Sequence, residues 1–142
     1  MSLFAALQVS ASGMQAERTR AETLVENMAN AETTRTPEGG PYKRKDVVFS
    51  SELQESPFSA VFQNELATGV TVADITTDNS APEMRFLPSH PDANAEGYVS
   101  FPKMNPAEEM ANLLNTTRSY EANIAAMTAV KDMITHSIDL LR

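Results

Sequence analysis

Residues 105–141 read NPAEEMANLLNTTRSYEANIAAMTAVKDMITHSIDLL, and this stretch decides the fold. It opens with three helix-start signals. Asn105 has a side-chain oxygen that can cap free backbone N–H groups, Pro106 falls at the first helical position, where its missing N–H costs nothing, and Glu108 stands three residues after the cap. From Met110, alternating steps of three and four select Met110, Leu113, Thr117, Tyr120, Ile124, Met127, Lys131, Ile134, Ile138 and Leu141, apolar at eight of ten positions. A helix running to the last residue reaches about 55 Å at 1.5 Å per residue. Ala125, Ala126, Val130, Met133 and Leu140 widen its apolar surface beyond what one neighbouring helix covers.

The other end of the chain shows the same period. Phe4, Leu7, Ala11, Met14, Arg18, Ala21, Val25 and Met28 form a strip in which only Arg18 is not apolar, and no proline precedes Pro37. The pattern predicts a helix from Ser2 to Asn30, about 43 Å long. Gly13 reads as its weak point, because an interior glycine costs about 1 kcal/mol relative to alanine, and the helix should fray unless a neighbour packs against it. In NMANAETT, Asn27 and Asn30 are placed to bond nearby backbone groups as the helix stops.

Between the helices the composition changes. Seven of the eight prolines and four of the five glycines fall between Ala31 and Met104. The strand-like pieces there are Lys45 to Phe49, the alternating Val70 to Ile75, and Gly97 to Phe101. Pro82, Pro88, Pro91 and Pro102 favour extended chain in the last third. The expected fold class is mainly α, with long N- and C-terminal helices forming a coiled coil and a loop-rich middle containing short β-strands. Its parts are an assembly helix and signature at 1–34, an irregular and β region at 35–104, and a second assembly helix at 105–142.

A net charge of −8 over 142 residues speaks against nucleic acid as a partner. Without cysteine there is no disulfide, thiolate metal site or thiol nucleophile. No apolar run approaches the length of a membrane span, and MSLFAALQVSASG lacks the basic start of a cleaved signal, so neither direct membrane insertion nor a cleaved signal peptide is expected. His90 in Ser-His-Pro-Asp reads as a turn residue, since His136 lies far along the second helix. Asp92 and Glu96 lack the alternating oxygen ligands of a calcium loop, and Gly39-Gly40-Pro41 is a turn with no phosphate-loop lysine after it. The basic run Tyr42-Lys43-Arg44-Lys45 reads as a solvated strand start rather than as a dock for an acidic neighbour. No catalytic residue, cofactor or metal site is expected.

Length points to assembly. Both helices outreach the roughly 30 to 40 Å diameter of a compact domain of this size. Leu, Ile, Val and Phe together supply only 29 of the 142 residues, too few for a large core. Each helix should therefore be marginal alone and completed by other chains. The assembly residues expected from the two strips are Phe4, Leu7, Met14, Val25 and Met28 on the first helix, and Met110, Leu113, Tyr120, Ile124, Met127, Ile134, Ile138 and Leu141 on the second. A monomeric helical hairpin, or a cytoplasmic coiled-coil adaptor forming a closed oligomer, would share these strips.

SASGMQAERTRAETLVENMANAETT, residues 10–34, resembles the shared N-terminal signature of flagellar basal-body rod and hook proteins. PYKRKDVVF (41–49), HPDANAEGYVSFPKMNPAEEMANLL (90–114) and TRSYEANIAAM (117–127) resemble the proximal-rod members of that family. The likeness spans nearly the whole chain except roughly 50–83. It implies a structural subunit of the bacterial flagellar basal-body proximal rod, exported without a cleaved signal by the flagellar type III export apparatus. There it would polymerise with copies of itself and other flagellar rod proteins into the periplasm-spanning drive shaft. The resemblance adds Asn27, Asn30 and Thr33 after the first helix, and Asn105, Pro106, Glu109 and Met110 at the start of the second, as residues with a part in assembly. Lys103 departs from it, standing where members commonly have asparagine.

Overall fold

The computed structural model of the chain describes residues 3–52 and 69–140. Its elements are a helix α1 (Leu3–Ala29), strands β1 (Lys45–Glu52), β2 (Gly69–Thr77), β3 (Glu83–Phe86) and β4 (Tyr98–Phe101), and a helix α2 (Pro106–Asp139). The start of α2 follows the sequence signals. Asn105 is extended (φ −109°, ψ 109°), its side chain accepts a hydrogen bond from the Ala107 N–H, and Pro106 opens the helix. Ser2 at the expected start of the first helix, and Leu141 with Arg142 at the expected end of the second, lie outside the described residues.

The two helices lie side by side and antiparallel. Gly13 of α1 faces Asn123 of α2, while Asn27 at the other end of α1 bonds Glu109 at the start of α2. The neighbour that the Gly13 position calls for is present here. A Cβ at this position would sit 3.2 Å from the Asn123 amide nitrogen, so the missing side chain lets the helices approach closely, and the tertiary contact offsets the cost to the lone helix. The buried seam of the pair is made by Ala16, Thr23, Leu24 and Asn27 from α1 and by Glu109, Thr116 and Val130 from α2. It is short and half polar.

The middle forms two antiparallel two-stranded sheets. β1 pairs with β2, with a register shift between Val48 and Phe49, and this hairpin lies across α1. There the Val70 N–H donates to the Ser12 hydroxyl at 3.0 Å, and the Arg20 guanidinium sits 4.3 Å over the Phe49 ring. β3 pairs with β4, joining Glu83 to Phe101 and Phe86 to Tyr98. β3, between Pro82 and Pro88, is missing from the sequence reading, because the clustered prolines there favoured extended chain over a paired strand. Val99 and Phe101 of β4 are buried, whereas Met84, Phe86 and Tyr98 on the opposite face are exposed. Gly97, at φ +84°, makes the turn into β4. A Cβ there would stand 2.8 Å from the Phe86 ring.

Candidate assembly interface

The junction where α1 ends, β1 begins and α2 begins is closed by a buried polar knot. Asn27, fully buried, uses its whole amide. Its Nδ2 donates to the Lys45 carbonyl at 2.8 Å and to Glu109 Oε2 at 3.1 Å, and its Oδ1 accepts from the Lys45 N–H and the Tyr42 hydroxyl, both at 3.0 Å. Glu109, only 1% exposed, accepts at Oε1 a 2.6 Å bond from Arg44 Nε. Every buried polar atom of the Asn27 and Glu109 side chains thus has a partner, the condition under which a buried charge is tolerated. Burial, followed by the charges of Glu26 and Glu109, pushes the Tyr42 phenol up to about 12. Partial burial works against the Arg44 cation, but the bond and charge of Glu109 outweigh it and raise its pKa.

Two sequence expectations are corrected by this knot. Asn27 does not cap the helix end locally. Only Asn30 does, donating to the Glu26 carbonyl at 3.0 Å. The basic run is not a solvated strand start either. Arg44 meets Glu109, Lys45 Nζ reaches Glu26 at 2.6 Å, and Lys43 donates to the Asn79 side chain at 2.8 Å. In an acidic chain, Arg44 and Lys45 found carboxylates on the chain's own two helices.

The expected assembly strips lie beside the buried seam, one step round each helix. On α1, Phe4 is 76% exposed and Val25 is exposed, while Leu7, Met14, Met28 and Asn30 are half-buried. On α2, Met110, Tyr120, Ile124 and Ile138 are exposed, Leu113, Met127 and Ile134 are half-buried, and Leu141 lies outside the described residues. Asn27 alone of the residues expected from the strips and the first signature is buried, inside the knot. Leu114, Met133 and Leu140 are further exposed apolar residues of α2. The two strips adjoin along the face turned from the β1–β2 hairpin. Arg18, in the middle of the α1 strip, has its pKa raised by the hydrogen bond and charge of Glu22, with a smaller contribution from Tyr120 across the helix pair. Glu109 is read from the sequence only through the resemblance, and its place is within the subunit. Its signal was one acid among nineteen, with nothing local to single it out.

Of the candidates in the middle region, His90 and Asp92 are tied up in structure. The Asp92 N–H donates to His90 Nδ1 at 3.1 Å within the turn, and the Asp92 carboxylate accepts from Thr34 at 2.8 Å and pairs with Arg35 at 3.3 Å, fastening the segment after α1. Among the described residues no cluster of three or more His, Asp or Glu could hold a metal ion, and no described helix is long and apolar enough to cross a membrane.

Against this geometry, residues 95–140 match the family model described as "Flagellar basal body rod FlgEFG protein C-terminal", a span covering β4 and α2. Over its whole length the chain is similar to curated rod proteins. It is 39% identical to the flagellar basal-body rod protein FlgC of Bacillus subtilis, covering 99% of each chain. To that of Borreliella burgdorferi it is 33% identical, covering 100% of this chain and 99% of the relative. To that of Escherichia coli O6:H1 it is 31% identical, covering 99% and 98%. Identity at this level over nearly the full length of each chain shows that the chain belongs to the FlgC family of flagellar basal-body rod proteins.

Proposed function

We propose that the chain, a structural subunit of the flagellar basal-body proximal rod, polymerises through its two terminal helices into the axial drive shaft. The single observation that carries this reading is the adjoining pair of apolar strips, Phe4 and Val25 on α1 with Tyr120, Ile124 and Ile138 on α2, left open on one face of a helix pair whose own seam is half polar. Apolar surface of that extent is a docking surface. Copies of this chain and other rod proteins supply the missing neighbours, and the helices then complete a coiled coil. The assembly segments are 1–34 and 105–142, and 35–104 forms the body between them.

A subunit with a small buried core opens at low cost, which suits passage in unfolded form through the flagellar type III export apparatus. The helices fray in the isolated subunit and become ordered in the rod. Circular dichroism of the dilute chain should show less helix than the 27 and 34 residues of α1 and α2. Full helicity in a clear monomer would contradict this. The decisive variant is Ile124→Asp, which places a carboxylate in the subunit seam. Its expected result is loss of incorporation into basal bodies and loss of motility, and normal swimming would refute the reading.

A further inference from the structure

The helix strips are not the only apolar surface left open. On the β3–β4 hairpin the cross-strand pairs Phe86 with Tyr98 and Met84 with Ser100 share one face, because side chains alternate along a strand. Phe86 is 62% exposed, Met84, Leu87 and Tyr98 are exposed with it, and the Phe86 and Tyr98 rings meet edge to face at 5.3 Å. Among the described residues neither strand packs against a helix or against the β1–β2 hairpin, so this face is not covered by its own chain's helices. Its edge is negative. Glu83 and Arg85 neutralise each other at 3.0 Å, while Glu96, in the turn that leads into Tyr98, is exposed and stands in no ion pair among the described residues. The α2 strip carries the opposite sign. Lys131, its one charged position, is exposed one turn beyond Met127 and likewise has no carboxylate partner among the described residues.

We propose that the open face of the β3–β4 hairpin docks on the α2 strip of a second copy of the chain, with Phe86 and Tyr98 against Ile124 and Met127 and with Glu96 beside Lys131. Apolar surface then meets apolar surface, and an unpaired carboxylate at its edge meets the unpaired cation of the strip. The two faces joined are unlike, as a rod requires. Like faces pair about a two-fold axis and close as a dimer, whereas open-ended growth needs each copy to present a surface different from the one it receives. Aromatic anchors carry a large share of the binding energy at an interface, and an exposed charge pair adds little affinity but fixes register. This inference rests on the strip reading above.

The chain contains no cysteine, so two introduced ones can be joined without background from the chain itself. With Glu96→Cys and Lys131→Cys in one chain, supplied as the only copy in cells, a short bismaleimide added to isolated basal bodies should give products of twice the subunit mass and above. Basal bodies that contain the chain but yield no such product, or only a product with a protein of another mass, would overturn the inference. Phe86→Asp stands at an exposed position and should lower incorporation at least tenfold, as expected for an interface anchor, with folding checked by the helix signal of the purified protein. Unchanged incorporation would overturn the inference. Glu96→Lys should lower incorporation about threefold, and Lys131→Glu in the same chain should restore it; defects that add instead of cancelling would count against it equally. Ile124→Asp, run alongside, separates the two readings. If that chain is lost from basal bodies and Phe86→Asp is not, the strip stands and this inference alone fails. Normal incorporation of Ile124→Asp would remove the strip, and this inference with it.

Discussion

The junction and the free flank of the helix pair are built on opposite principles. At the junction Asn27, Tyr42, Arg44, Lys45 and Glu109 satisfy one another's hydrogen bonds within one chain, and two of the five are shielded almost completely from solvent. Along the flank, Ile138 is 58% exposed, and among the described residues the apolar side chains that repeat most regularly in the sequence have no second partner helix. Directional bonds define how this subunit holds itself together. Non-directional apolar surface is kept for neighbours. A subunit organised in this way can be specific at its core without a large core, and adhesive on its outside without a fixed single contact.

The largest effect should come from breaking the knot. Glu109→Ala removes the acceptor of Arg44 and one partner of Asn27, and is expected to lower the subunit's unfolding free energy by about 3 kcal/mol, the low end for a buried pair because Arg44 keeps some access to water. Urea denaturation of the purified chain reads this directly. Arg44→Met combined with Glu109→Met should cost less than the sum of the single changes, since no buried charge is then left alone. Additive costs would show that the pair is not coupled.

Raising the pH probes the same region more gently. The Tyr42 phenol titrates near 12 in the folded chain, against about 10 when unfolded. A raised pKa in the native state means that the stabilisation is complete below pH 10 and is lost as pH climbs from 10 towards 12. At about 1.4 kcal/mol per pH unit the loss amounts to some 2 to 3 kcal/mol. Tyr42→Phe should be less stable at neutral pH, having left Asn27 Oδ1 with one donor fewer, but should show a shallower alkaline decline. An unchanged decline would place the alkaline sensitivity in another group.

The smallest effect on the isolated subunit is expected on the flank. Ile124→Asp sits at an exposed position and should shift the urea midpoint by no more than about 0.5 kcal/mol equivalent, even as it prevents incorporation into the rod. A large loss of monomer stability would erase the contrast between the two regions, because it would mean that the strip is already buried within one subunit.

Much of this was legible in the chain, and the illegible parts share a cause. Helices over Leu3–Ala29 and Pro106–Asp139, the cap at Asn105 and three of the four strands follow from local periods and local cap chemistry, which act over a few residues. β3 escaped because the prolines around it read as extended, unpaired chain. The strips from Phe4 to Met28 and from Met110 to Ile138 were visible as apolar repeats, but repeats do not say which side of a helix its own chain will cover. Asn27, Arg44 and Glu109 are separated by up to 82 positions, and no neighbour in sequence hints that they meet.

The sequence by itself determined where the helices run, that they are amphipathic, and through family likeness what the chain builds. Only the tertiary structure decided that the polar, less regular face of each helix turns inward and that Gly13 is a point of contact instead of a flaw. The physical reason is that period and capping are set by backbone geometry within a few turns. The choice of inward face depends on which long-range hydrogen bonds and close approaches can be satisfied together, and that is known only when both helices and the hairpin are in place.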